Sequence, residues 1–160
     1  IGGGPIALSG KQVPNGSAIP TWRKTMNQAT QSTAPQDEQD VNNPAIAAII
    51  AQQNDAFRTS VTASVKAPGV PPGKLVMTAG IAAQSDEFRS TLIEALVAFD
   101  AFDADSDPYG LHEMGVLEIE GERVWFKFDL YDENYEYGAE TPADPKRTRR
   151  VLTLLLPSEY

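Results

Sequence analysis

The residue types best suited to chemistry crowd into one segment, Asp100 to Gly115, which reads DAFDADSDPYGLHEMG. Carboxylates spaced two apart can converge on a hard cation, and Asp103, Asp105 and Asp107 match the first three liganding positions of an EF-hand. The match then fails, because Pro108 stands where the turn glycine belongs and Met114 where the bidentate glutamate belongs. Asp103, Asp105, Asp107 and His112 remain candidate ligands of an improvised Ca²⁺ or Mg²⁺ site. The competing expectation is a proline turn in which Asp107 accepts backbone N–H groups and Gly110 supplies a positive φ. His112 and Glu113 are the candidate catalytic residues, as a general base or, with Asp129 or Asp132, as a mixed nitrogen and oxygen metal site. Against that stands a histidine that pairs with a neighbouring carboxylate and orders the loop. Apart from Ca²⁺ or Mg²⁺, no cofactor is expected.

A second cluster, Asp129, Tyr131, Asp132, Tyr135 and Tyr137, combines carboxylates with tyrosines, a mixture that suits recognition of basic groups as readily as catalysis. Asp107, Tyr109, Trp125, Asp129, Tyr131 and Asp132 are the candidate binding residues. Other chemistries are excluded by composition. With no cysteine there is no disulfide, thiolate nucleophile or iron–sulfur centre, and with His112 the single histidine, no one chain builds a multi-histidine metal site. There is no glycine-rich phosphate loop, serine nucleophile elbow or HExxH. Asn15-Gly16-Ser17 is a formal glycosylation sequon, of no consequence in a cytoplasm.

Charge is unevenly spread over the 160 residues, whose net charge is -9. From Asp86 to Glu140 there are sixteen Asp and Glu against three basic residues (Arg89, Arg123, Lys127), a local balance of -13 that repels nucleic acid. Lys146, Arg147, Arg149 and Arg150 follow at once, and self-pairing with the domain's own carboxylates is the expectation for them. No apolar run approaches the roughly 20 residues that cross a bilayer, so no membrane partner is expected; the absence of cysteine fits a reducing compartment, and the cytoplasm is the expected location. The chain opens on Ile1 rather than Met, which leaves a lost leader open.

The elements that must position these groups can be read from periodicity and punctuation. Residues 1–43, rich in Gly, Pro and small polar residues, read as a flexible or extended arm with Ile19, Trp22 and Met26 as its anchors. Residues 44–160 read as one α+β domain. Asn43-Pro44 predicts a helix start, with Ile46, Ile49, Ile50, Phe57 and Val61 on its apolar stripe and Gln52, Gln53 and Arg58 mostly outside it. Lys74 to Thr78 reads as a short buried strand. Ser85, Asp86 and Glu87 open a second helix with Phe88, Leu92, Ala95, Leu96, Phe99 and Phe102 inward. Val116–Glu120 and Arg123–Tyr131 flank Gly121 as a hairpin, with Val124, Phe126, Phe128 and Leu130 facing one way and Arg123, Trp125, Lys127, Asp129 and Tyr131 the other. Arg150 to Leu156 is a last strand, closed by Pro157. The sum is two helices packed on one face of a small, mainly antiparallel sheet of about four strands.

Several separated strings resemble DUF3768, a bacterial family of unknown function that is frequent on plasmids and other mobile elements. They are Asp107-Pro108-Tyr109-Gly110, His112-Glu113 and Gly115, Lys127 to Asp132, Pro142 to Pro145, Arg150 to Thr153 and Glu159-Tyr160. Asn54-Asp55-Ala56-Phe57-Arg58 and Met77 to Gly80 extend the resemblance over about residues 54–160. Glu113 stands where the family usually has Asp, and Leu130 where it usually has Tyr. The resemblance implies a bacterial accessory gene and supplies no reaction. Three functions are carried forward. One is a small acidic binding protein of a mobile element, an inhibitor of a host defence or nucleic-acid-binding protein whose basic surface it occupies. The second is a metal-assisted hydrolase or nuclease using the 107–113 loop. The third is a structural or regulatory module without an active site.

Overall fold

The computed structural model describes residues 41–160. The arm expected over residues 1–43, with Ile19, Trp22 and Met26, lies almost wholly outside the described residues. The first described helix, α1 (Pro44–Thr59), begins where Asn43 accepts a hydrogen bond from the Ala45 N–H and Pro44 fills the first helical position. The sheet then starts with β1 (Gly73–Met77), followed by a single helical turn, α2 (Ala79–Ala82), and by α3 (Asp86–Ala98). Ser85 caps α3 by accepting from the Phe88 N–H, and Asp86 and Glu87 sit in its first turn, where the helix dipole favours negative charge. Strands β2 (Met114–Ile119), β3 (Glu122–Tyr131) and β4 (Arg149–Leu155) complete the sheet.

The strand order is β1-β4-β3-β2, with β1 parallel to β4 and the other two pairings antiparallel. This is the α+β class read from the sequence, with one parallel pairing and one short helix more than that reading held. The hairpin turns at Glu120 and Gly121, both with positive φ (53° and 85°), the two-residue geometry whose twist matches the flanking strands. On β3, Val124, Phe126 and Phe128 are buried on one face with Leu130 partly so, while Trp125, Lys127, Asp129 and Tyr131 stand half-buried on the other.

The buried face carries the main core. Phe88, Leu92 and Leu96 of α3 and Phe57 of α1 pack with Leu117, Ile119, Val124, Phe126, Phe128, Leu152 and Leu154. Gly115 leaves room for the Phe126 ring of the paired strand β3 and for Phe99 just beyond α3, since a Cβ there would collide with the former and come within 2.8 Å of the latter. Three expectations are corrected. The first helix ends at Thr59, so Val61 packs on the core from beyond it, and Ile49 is 41% exposed because it falls off the buried stripe. The second helix ends at Ala98, where Phe99 turns to extended backbone, yet Phe99 and Phe102 still reach the core. Arg58, read as lying outside the stripe, is only 4% exposed.

Candidate functional site

Asn54, Asp55 and Arg58 lie within one turn of α1, so the helix delivers all three toward the loop 107–113. The Asn54 amide donates to the Leu111 carbonyl at 2.9 Å and accepts from Arg150 Nε at 2.9 Å. Asp55 Oδ2 lies 2.8 Å from His112 Nδ1, and its Oδ1 accepts from Arg58 Nη2 at 2.9 Å. Arg58 Nη1 donates to the carbonyls of Leu96 and Val97 at 2.6 and 3.2 Å, satisfying orphan acceptors in the last turn of α3. One buried guanidinium thereby ties the end of α3 to the carboxylate that holds His112.

The loop is anchored from inside by Asp107, whose side chain is 7% exposed. Its two oxygens accept the N–H groups of Leu111 (3.0 Å) and His112 (2.9 Å). Gly110 and His112 both have positive φ, 64° and 51°, and for a non-glycine residue that conformation costs roughly 1 kcal/mol unless its surroundings impose it. Asp107 and Asp55 impose it, together with Phe102, whose ring stacks on the imidazole at 3.9 Å and 2°. His112 Nε2 stands 3.9 Å from Asp107 Oδ2. The proline turn anchored by Asp107 is therefore formed, and the carboxylate that pairs with His112 at Nδ1 comes from α1 rather than from the loop itself. The acidic residues upstream serve another turn. Asp103 Oδ1 accepts from the N–H groups of Asp105 and Ser106 and from the Ser106 hydroxyl. Hydrogen bonds from Ser106 and Asp105 hold the Asp103 carboxyl below its usual range. Among the described residues, no three His, Cys, Asp or Glu side chains gather in a metal-binding arrangement.

Strand β3 runs past the start of β2, since Met114 pairs with Lys127, and Leu130 is left to be covered by the loop and α1. The cover is incomplete. A cavity of about 400 Å³ remains, walled by Val41, Asn42, Ile50, Leu111 and Leu130 and edged by Tyr109 and Glu113. Loss of hydration raises the Glu113 carboxyl above its usual range, and the nearby charges of Asp107 and Asp129 push it the same way. The Glu113 carboxylate makes no hydrogen bond or ion pair with any described residue.

The remaining binding candidates do not join this cavity. Asp129 is paired with Lys127 at 3.0 Å. Trp125 lies on the other face of the sheet, edge-on to Tyr160 at 5.4 Å, with its indole N–H buried and without a hydrogen-bond partner among the described residues. Tyr131 bridges to Gly138 at the end of β3. Asp132 accepts the N–H groups of Glu136, the largest influence lowering its carboxyl, and of Asn134, and lines a separate cavity of about 260 Å³ with Tyr137, Thr141 and Arg147. The basic run behaves differently from expectation. Among the described residues, Lys146, Arg147, Arg149 and Arg150 form no ion pair with a carboxylate; Arg149 donates to the carbonyls of Lys146 and Thr148 instead. Arg150 is fully buried beside Gln53 and Asn54.

Residues 77–159, just over half of the chain, match the family described as Protein of unknown function (DUF3768). The chain belongs to the DUF3768 family. No curated protein and no solved structure matches it. The DUF3768 match contains Asp107, Tyr109, His112, Glu113 and Leu130, and it begins after the helix that supplies Asn54, Asp55 and Arg58. Those three, with Arg150, are the site residues that reading for chemistry passed over. The signal for them was the string Asn54 to Arg58, which the resemblance had included without giving it a role.

Proposed function

We propose that this DUF3768 chain is an acidic binding protein that engages a basic protein partner. In its sharper form, it acts from a bacterial mobile element in the host cytoplasm as an inhibitor of a defence or nucleic-acid-binding protein, by occupying a groove meant for phosphates. The observation that carries the reading is uncompensated charge. Of the sixteen carboxylates between Asp86 and Glu140, only Asp86, Glu118 and Asp129 are paired to Arg or Lys among the described residues. A surface of one sign steers oppositely charged partners and raises their association rate. Glu118, Glu120 and Glu122 stand exposed around the hairpin turn, where they offer charge at no cost to the core.

The test is competition. A fluorescent 20-base-pair duplex bound to decalysine is titrated with the chain and with the variant Glu118→Lys, Glu120→Lys, Glu122→Lys. Release of the duplex by the native chain and weaker release by the variant support the reading; equal release by both, or none, overturns it.

Acid and base chemistry at His112 and Glu113 is the second reading, favoured by the Asp55 bond to His112 Nδ1 that leaves Nε2 toward Asp107. It has less support, because no hydroxyl is hydrogen-bonded to the ring among the described residues. In its metal-assisted form, Ca²⁺ or Mg²⁺ binding measured by calorimetry, lost in Asp107→Ala and His112→Ala, would move it forward.

A further inference from the structure

We propose that the cavity beside α1 receives one lysine side chain of the basic partner, with the ammonium at Glu113. The proposal rests on the binding function above and gives it a specific contact. The walls Val41, Ile50, Leu111 and Leu130 are aliphatic, suited to the four methylenes of a lysine stem, which pack on apolar surface while the charged head seeks a polar group. Glu113 is that group. Among the described residues that line the cavity it is the one carboxylate, Asn42 being a neutral polar side chain, and no described residue bonds to the Glu113 carboxylate. Asp107 is committed to two backbone N–H groups and Asp129 to Lys127, so neither is available to compete for the incoming cation. Both still act on Glu113 through space, and an arriving positive charge relieves three carboxylates at once. Tyr109, 62% exposed at the same cavity, adds a ring face to a cation.

Lysine fits this lining better than arginine. A guanidinium carries five N–H donors in a rigid fork and asks for matched acceptors, whereas an ammonium is a point charge that one carboxylate can satisfy. The proposal commits to a protein side chain because the segment that carries Glu113, Asp86 to Glu140, holds sixteen carboxylates against three basic residues, a balance complementary to an extended basic surface.

The experiment is methyl NMR on the full chain, titrated with the acetylated and amidated peptides Gly-Lys-Gly, Gly-Arg-Gly and Gly-norleucine-Gly, with decalysine in a parallel series. The lysine peptide is expected to shift the methyls of Ile50, Leu111 and Leu130, and to bind at least about fivefold more tightly than the norleucine peptide. Glu113→Gln should lose that margin, and Glu113→Asp should keep it. Equal binding of lysine and norleucine peptides, or of native and Glu113→Gln chains, overturns the site. So does the absence of cavity shifts while decalysine binds, an outcome that leaves the binding function standing. Failure of decalysine to bind removes both.

Discussion

Replacing Asp107 separates a loop anchor from a metal ligand. In Asp107→Ala, the N–H groups of Leu111 and His112 lose charged acceptors at 3.0 and 2.9 Å, from a side chain that is 7% exposed. Hydrogen bonds to a charged group contribute about 1.5–3 kcal/mol each, so the pair sets a ceiling of roughly 3–6 kcal/mol. The loop can open and let water reach those amides, which brings the expected loss to about 2–4 kcal/mol. For a domain of this size that is a fall in Tm of roughly 10 °C. Asp107→Asn keeps one acceptor oxygen and should lose about half as much. Urea unfolding gives the stability, and hydrogen exchange should show protection lost first at the amides of Leu111 and His112. If exchange there is unchanged, or if the loss of stability appears only when Ca²⁺ or Mg²⁺ is present, Asp107 is not the anchor of the loop.

Other consequences follow from the same contacts. Gly115→Ala drives a methyl into the Phe126 and Phe99 rings and should destabilise by about 2–3 kcal/mol in urea titration. Burial brings the Arg150 guanidinium down to about 10, a cost of about 3 kcal/mol. Arg150→Met should therefore change stability by less than about 2 kcal/mol, while Asn54→Leu, which strips an acceptor from the buried cation, should lose about 3 kcal/mol or more. Because the folded state raises the Glu113 carboxyl, its contribution is full below about pH 4.5 and fades as the pH rises through the folded value. Thermal scans should find Glu113→Gln equal to the native chain near pH 4 and more stable at pH 7. Glu159 has the opposite sign. Bonds from the Thr78 hydroxyl (2.5 Å) and the Gly80 N–H (2.8 Å) lower its carboxyl, so Glu159→Gln should lower Tm at pH 7, by an amount that shrinks as the pH falls through the folded value.

The fold was legible where local signals agreed. Asn43-Pro44 and Ser85 set helix starts by capping, and period-two alternation around Gly121 set the hairpin and both of its faces. Ends were less legible, because the apolar stripes of both helices continue into Val61, Phe99 and Phe102, which reach the core without being helical. The parallel pairing of β1 with β4 joins segments more than seventy residues apart and leaves no local trace. At the site, the turn at Asp107 was readable from Asp-Pro and Gly110, since both act within five residues. Asp55 and Arg58 were not. Helical periodicity places a charged residue outside, and only the tertiary meeting of α1 with the end of α3 gives Arg58 the acceptors that let it be buried. Glu113 could be named from its neighbours, but its unpartnered place at a cavity depends on how far β3 outruns β2.

The salt dependence of decalysine binding tests the proposed function most directly. Measured by anisotropy between about 50 and 200 mM salt, the affinity of the native chain should fall steeply as counterions are released, and the Glu118→Lys, Glu120→Lys, Glu122→Lys variant should bind more weakly with a shallower slope. No saturable binding at the lowest salt, or the same affinity and slope in both proteins, would contradict it.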